Sequence, residues 1–410
     1  MPRLLLLAPR PSFLFRNNSG ACVLDGLSDA VFLLTDTSSA RYAAELFSGP
    51  IQTLPYPAFA SAQKIFAAVE AEHHTQPFTS VGLIDESLME IAAELRLFLG
   101  VEGIDPDLAL RFRDKTVMKA ILAEAGVRVP SYLHNVERSG VGDLLARHGR
   151  VVLKERKGFG SRGVTFIDDL NAFDVWAART RDPEIFEAEE FISAPLYNVN
   201  TIVIGGKIRF TAVIYNEPGM ADVDFSSGAP FVSYVLPEGE QQDRFVAYAE
   251  QVRAGLGLEN GVMHLECFYK SKDEIVFCEV AARPGGGGVM RLIESQFGIN
   301  MARVSLQLEL KRYGDVLSAI RRSAGIACFI GFRSSATGFI RNIASHDDLI
   351  RPWVERVSYR KTMTDFVALA AHCTDFIAHI DYRSETTDDF LARATELNAA
   401  FNQSLLIEPV

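Results

Sequence analysis

The residues best suited to do chemistry lie in one stretch, residues 261–288, GVMHLECFYKSKDEIVFCEVAARPGGGG. Two runs of alternating apolar and polar residues flank the turn signal Ser271-Lys272-Asp273-Glu274. That pattern reads as an antiparallel β-hairpin. Centring the turn between Lys272 and Asp273 puts Glu266 opposite Glu279, His264 opposite Ala281 and Phe268 opposite Phe277. Opposed carboxylates on one face of a strand pair repel. Opposed Cβ atoms sit about 4.5–5.5 Å apart, which lets two carboxylates share a hard divalent cation such as Mg²⁺. The competing reading is a solvated sheet face. It fits less well with Ala281, Arg283 and a glycine run on the same strand.

The hairpin empties into Arg283-Pro284-Gly285-Gly286-Gly287-Gly288. Glycines let backbone N–H groups approach an anion closely, and a helix is expected just after them, over 289–297. Two oxygen ligands, a fixed cation and an anion-binding loop together equip a site for chemistry on a phosphate. Cations for such a site are found upstream. Asp114 is a good N-cap, Val117, Met118, Ile121, Leu122 and Ala125 form one apolar stripe, and Gly126 ends that helix. Lys115 falls in its first turn, where a cation opposes the helix dipole. An anion bound at free N–H groups would account for it; the alternative is an ordinary exposed lysine. Residues 150–167 read as a second hairpin with Lys154 inside a strand. Its loop, residues 157–163, is glycine-rich and cationic. It is not a Walker A loop, because GxxxxGK[ST] is absent. It suits a lid over phosphates, or equally a long solvated turn.

The elements that position these residues fall into three regions. The chain of 410 residues is too long for one ordinary core. Up to residue 110, strands over 4–8, 30–34 and 80–84 alternate with helices over 38–47, 59–72 and 87–99, which predicts a small parallel α/β domain. No GxGxxG follows its first strand, so a dinucleotide site has no support. Asp85-Glu86 follow the third strand, as a ligand contact at a strand end or as helix capping. From 111 to 310 come the two hairpins, a helix over 171–180, an acidic strand over 185–192 and a hairpin over 198–215. A mobile loop over 216–237 and helices over 240–255 and 299–312 complete that region. After 311, strands over 326–332, 337–343, 357–358 and 376–381 precede a final helix over 387–401. His372, Cys373 and His379 suggest a metal site, but period two puts the two histidines on opposite faces. Satisfied structural histidines are expected there.

Composition bounds the function. Hydrophobic residues make up 48% of the chain, which excludes disorder. The net charge of −11 argues against nonspecific nucleic-acid binding and against an anionic membrane surface. Five cysteines without a CxxC give neither a disulfide framework nor a zinc signature and point to a reducing compartment. Cys267 and Cys278 are expected as small core hydrophobes on the other face of the hairpin. The leucine run at the start is too short for a signal segment, and no run approaches the ~18 apolar residues of a membrane span. The expected location is the cytoplasm.

The order of these features resembles the ATP-grasp superfamily. The resemblance covers about residues 111–310 and rests on RDKTVMKAILAEAGVRVP, VVLKERKGFGSRGV, EEFISAPLYNVN and EVAARPGGGG, in that order. These strings are similar to those of its carboxylate–amine ligases, especially the amino-acid and dipeptide ligase branch. The implied fold is mixed α/β. An N-terminal parallel α/β domain (1–110) precedes the ATP-grasp domain (111–310, lid about 125–195), built on a central antiparallel sheet. A small C-terminal α+β subdomain (311–410) follows. The resemblance implies ATP and Mg²⁺ as cofactors, with Mn²⁺ as a substitute. Lys115 and Lys154 would contact the ATP phosphates, with Lys154 also near the adenine. Gly158, Gly160, Ser161, Arg162 and Gly163 would form the lid. Glu189, Glu190, Phe191 and Ile192 would lie at the adenine hinge, largely through backbone groups. Glu266 and Glu279 would hold the metal, and Arg283 would stabilise charge on the acyl-phosphate and tetrahedral intermediates.

Two departures matter. Relatives often carry Glu-x-Asn on the second metal strand, where this chain has Glu279-Val280-Ala281. His264, or preferably a water, would take the missing oxygen's place, since imidazole is a poorer Mg²⁺ ligand. Where relatives of the D-alanine ligase type carry an acid, this chain has Leu196, which leaves Asn198 or Asn200 for the ribose. The implied activity is amide formation between small carboxylate and amine substrates, expected to be amino acids, by a possible homodimer. Arg283, Arg291 and the backbone of Gly285, Gly286 and Gly287 would anchor a substrate carboxylate, although Arg291 also reads as a solvated helix residue. The alternatives are transfer to a carrier-protein thiol, a carboxylation, or a non-catalytic nucleotide-binding regulator.

Overall fold

Leu4–Leu7 is buried along its whole length, which a strand needs when helices cover both faces of a parallel sheet. In the computed structural model it lies between Val31–Asp36 and Ser80–Leu83, parallel to both. The described residues are 2–8, 15–27, 30–36, 52–56, 62–160, 163–217, 227–370 and 375–409. The expected helix over 38–47 lies outside them, as do Ser161, Arg162, His372 and Cys373. A fourth strand, Gln52–Tyr56, is an addition to the three expected, and it contains Pro55. It sits at the sheet edge, where a missing N–H is tolerated. Helices Ala62–Thr75 and Met89–Leu99 accompany the sheet.

A second sheet of four strands has the order Tyr132–Leu133, Phe186–Glu190, Val151–Glu155, Thr165–Ile167. Helices Arg138–His148 and Leu170–Arg179 close over it on a small separate core that includes Val141, Leu144, Leu153 and Phe173.

The third sheet is antiparallel and has eight strands. From one edge they are Glu274–Ala281, Gly261–Ser271, Leu196–Val203, Ile208–Asn216, Phe231–Val235, Ile326–Phe332, Ala378–Ser384 and Val354–Tyr359. The expected carboxylate hairpin forms one edge. The sheet then runs without a break through strands on both sides of residue 310. Phe231–Val235 is a strand where the sequence suggested only loop, because Val232, Tyr234 and Val235 face core once their neighbours are in place. The helix expected over 299–312 is Met301–Glu309, and a further helix, Tyr313–Ala319, follows it after Lys311, which takes φ 57°. Gly338–Asn342, Phe366–Val367 and Leu406–Pro409 form a further small sheet. No helix of the described residues is long and apolar enough to cross a membrane.

Candidate active site

The helix Lys115–Glu124 starts as its sequence dictates. The Asp114 carboxylate accepts from the Thr116 and Val117 amides, and Met118 and Leu122 are buried. The Lys115 amide donates to Arg156 O at 3.0 Å. These N–H groups are therefore taken, which corrects the expectation of free amides for an anion. The Lys115 side chain acts instead. It is 5% exposed, and its Nζ donates to Gly158 O at 2.6 Å and Glu155 O at 3.3 Å and stands 3.2 Å from Glu279 Oε2. The start of the glycine loop is tied down again by Arg113 Nη2 on Lys157 O at 2.5 Å. Gly160 and Gly163 take φ of 66° and 72°, a conformation open to glycine.

One turn on, Lys119 is fully buried between Glu187 and Glu189, its Nζ 2.7 Å from Glu187 Oε2. Lys154 Nζ lies 2.6 Å from Glu189 Oε1. Burial would pull the Lys154 pKa down, but Glu189 and then the groups around it, Glu187 and Glu279 included, outweigh this and hold it well above the ordinary lysine value. The acidic strand thus serves the two lysines with its side chains. Sequence reading missed Lys119 and Glu187. The signal was the i, i+4 spacing of Lys115 and Lys119 beside the apolar stripe.

The hairpin register places Glu266 opposite Glu279 and His264 opposite Ala281, as expected. A bulge then intervenes between Glu266 and Cys267, so Phe277 faces Cys267 and Phe268 faces Val276 rather than Phe277. Bulges re-aim side chains next to functional sites. Here Cys278 is partly exposed rather than core, while Cys267 is buried. His264 lies between two partners, with Nδ1 2.8 Å from Asn200 Oδ1 and Nε2 3.3 Å from Glu266 Oε1. Both ring nitrogens are thus within reach of a side-chain oxygen. Burial would raise the Glu279 pKa; Lys115 and Lys154 outweigh it and hold the carboxyl at about 2. It is an anion at any working pH.

Arg283 leaves this hairpin to meet a residue from the first sheet. Its Nε and Nη2 donate to Glu86 Oε2 at 2.8 and 2.6 Å, and Arg113 Nη1 donates to Glu86 Oε1 at 2.5 Å. Asp85 caps, accepting from the Ser87 amide at 2.9 Å, whereas Glu86 pairs with the two arginines. One small cavity is lined by Glu86, Lys115, His264, Glu279 and Arg283. The glycine loop passes just above: a Cβ on Gly285 would lie 2.7 Å from His264 Nδ1 and 3.0 Å from Asn200 Oδ1.

Other expected site residues are placed as follows. Asn198 and Asn200 sit on the strand beside the hairpin, opposite Glu266 and His264, and both are buried. The Phe191 amide donates to Arg150 O at 3.2 Å, so that N–H is not free for a base. Glu190 N donates to Ser131 O at 2.9 Å, and the Glu190 carboxylate binds Arg128. Ile192 is buried just beyond the strand. Gly286 is exposed and has open space around it, and Gly287 takes φ 60°. Arg291 is no solvated residue: it is ion-paired with Asp381 and faces a different cavity, with Gly287 on its rim.

No protein-family model matches the chain. The L-arginine-specific L-amino acid ligase of Bacillus subtilis is 26% identical over 251 residues, 58% of this chain and 59% of that protein. The alanine–anticapsin ligase of Bacillus subtilis is 24% identical over 239 residues, 51% of this chain and 49% of that protein. The chain therefore spans about half the length of the curated relatives it matches. Among solved structures, the L-amino acid ligase from Bacillus licheniformis matches with a TM-score of 0.75 at 20% identity, covering 100% of this chain and 99% of that one. Phosphoribosylglycinamide synthetase from Anaerococcus prevotii matches at 0.68 and 14% identity, covering 100% of both chains. At these identities the structural likeness carries the fold alone.

Proposed function

We propose that this chain is a member of the ATP-grasp superfamily and an ATP- and Mg²⁺-dependent ligase that joins a carboxylate to an amine, with amino acids as substrates. One observation carries the reading: Glu266 and Glu279 face each other inside a ring of Lys115, Lys154 and Arg283. An opposed carboxylate pair, with Glu279 held ionised by Lys115 and Lys154, is worth its mutual repulsion where a triphosphate and its metal must be received.

The donor set fits a hard divalent cation. Glu266 and Glu279 are partly exposed to the cleft, and Glu279 already meets a cation in Lys115. Among the described residues no cluster of three His, Cys, Asp or Glu could hold a metal. Glu266 and Glu279 would hold the ion, leaving room for phosphate oxygens and water. When bound, Mg²⁺ neutralises the triphosphate and aligns the transfer.

In the proposed reaction a substrate carboxylate oxygen attacks the γ-phosphorus and ADP leaves. The amine nitrogen then attacks the acyl carbon, phosphate leaves, and the ammonium loses its proton to solvent. Lys115 and Lys154 bind phosphate oxygens, and the loop 157–163, with Gly158, Gly160 and Gly163, covers them. Arg283, steered by Glu86, places its guanidinium against the oxyanion that forms at the acyl carbon. His264 and Asn200 hold Glu266 in position. Water must be excluded, because an acyl-phosphate hydrolyses. The base and ribose would be held by Lys154, the 189–192 segment and Asn198 or Asn200.

The test is phosphate release from ATP and Mg²⁺ across amino acids singly and in pairs, with mass analysis of products. Phosphate release that depends on a pair, with a new amide mass, is expected. Phosphate release without any amide, or none with any pair, would overturn the reading in favour of another acceptor or of a regulatory role.

A further inference from the structure

The strands Ala378–Ser384 and Val354–Tyr359 close the far edge of the eight-stranded sheet. Their register sets Ser358 beside His379 and Arg356 beside Asp381. With a side-chain period of two, these four share one face, and Arg360 continues the row. The helix Val289–Phe297 brings Arg291 to the same place, its Nε 3.1 Å from Asp381 Oδ1. A cavity of about 470 Å³ opens here. Arg16, Arg291, Arg356, Arg360, His379 and Gly287 are in its wall, and no Asp or Glu is. Asp381, behind the wall, pairs with Arg291, and Asp375 acts on Arg360 from outside the wall. Arg356 has no ion pair among the described residues.

His379 adds a second, independent sign. It is 6% exposed, and both of its ring nitrogens lack a hydrogen-bond partner among the described residues. This corrects the expectation of a satisfied structural histidine. A buried polar group left unpaired costs free energy, so such groups normally have a partner. Burial, then the guanidiniums of Arg291, Arg360 and Arg356, hold the imidazole neutral, with a pKa of about 3. A neutral imidazole keeps one N–H to give to an oxygen. One loop links the cavity to the candidate active site. The glycine loop runs from Gly285, against His264 and Asn200, to Gly287 on the cavity rim.

We propose that this cavity receives a second anionic group, a carboxylate or phosphate ester, at the far end of one of the two substrates, so that the amide is made with an acidic amino acid. The proposal rests on the ligase reading above. Arg356 and Arg360 grip the anion, His379 donates to it, and the glycine loop carries the rest of the molecule toward Glu279 and Arg283.

Calorimetric titration of the full chain with L-aspartate, L-glutamate and O-phospho-L-serine, beside L-asparagine, L-glutamine and L-serine, tests it directly. Charge-assisted hydrogen bonds predict that each neutral counterpart binds about tenfold or more weakly. Arg356→Gln and, separately, Arg360→Gln should lose about tenfold or more for the acidic ligand while ATP binding is unchanged. The better of aspartate or glutamate against phosphoserine identifies carboxylate or phosphate as the preferred group. Equal binding of neutral and acidic ligands, or unchanged affinity in both variants, would overturn the proposal. ADP and amide formed only from neutral pairs would overturn it while leaving the ligase standing. Arginine-dependent binding of acidic ligands with no ADP formed under any pairing would keep the cavity assignment and remove the ligase reading instead.

Discussion

Replacing His379 with Gln should change how stability responds to acid, by an amount that the structure sets. Burial, Arg291, Arg360 and Arg356 push the folded pKa from 6.5 to about 3, and Asp381, on the same face, is already bound to Arg291. Between those two values the unfolded chain binds one proton more than the folded one, so stability falls as pH is lowered. Below pH 6.5 the slope is about 1.36 kcal/mol per unit, which gives a loss of about 2 kcal/mol between pH 7 and pH 5. His379→Gln removes that term and leaves all other titrations nearly alone. The difference between wild type and variant therefore isolates it. Trp353 makes a convenient reporter, because its ring lies 5.8 Å from Tyr382 on the His379 strand. The assay is urea unfolding followed by tryptophan fluorescence at pH 7, 6 and 5, in a Trp176→Phe background that silences the other tryptophan. The variant should gain about 2 kcal/mol on the wild type between pH 7 and pH 5. A gap that does not move with pH would refute a neutral, cation-surrounded His379.

Three further outcomes follow from the site. Glu279→Gln should lower ATP-dependent phosphate release by on the order of 100-fold or more, since losing even an outer-shell partner of a metal costs about 10–100-fold; a folded variant with normal turnover would remove Glu279 from the metal site. Lys119→Met leaves Glu187 and Glu189 short of a cation in a fully buried place; a cost of about 3–5 kcal/mol is expected in chemical denaturation, and a neutral effect would contradict the buried triad. Gly285→Ala drives a Cβ to 2.7 Å from both His264 Nδ1 and Val289 Cγ1; it should cost about 1–3 kcal/mol and slow turnover by displacing the His264 that aims Glu266, and an unaffected melting temperature and rate would refute the close approach.

Much of this site was legible in the chain because it rests on local rules. Alternation and a four-residue turn were enough to set Glu266 opposite Glu279 and His264 opposite Ala281. Asp114 and Gly126 were enough to bound the helix that carries Lys115. The leucine run of the first strand and the Lys154 hairpin follow from the same periodicities. What the periodicities supply is the face on which a side chain lies. They do not supply what stands across from it. Glu86 and Arg283 are 197 positions apart and meet only because the parallel sheet docks on the hairpin. The Lys115 amide finds Arg156, and Phe191 finds Arg150, through sheet packing that no window of sequence contains. The one-residue bulge that re-aims Cys278 shifts a register the alternation alone would have kept. Likewise, His379 reads as an unremarkable strand residue until three arginines from a neighbouring strand and a helix surround it and leave its nitrogens unpaired. Short-range sterics and hydrophobic period fixed which residues are candidates; long-range packing decided their charges, their partners and the cavity they share.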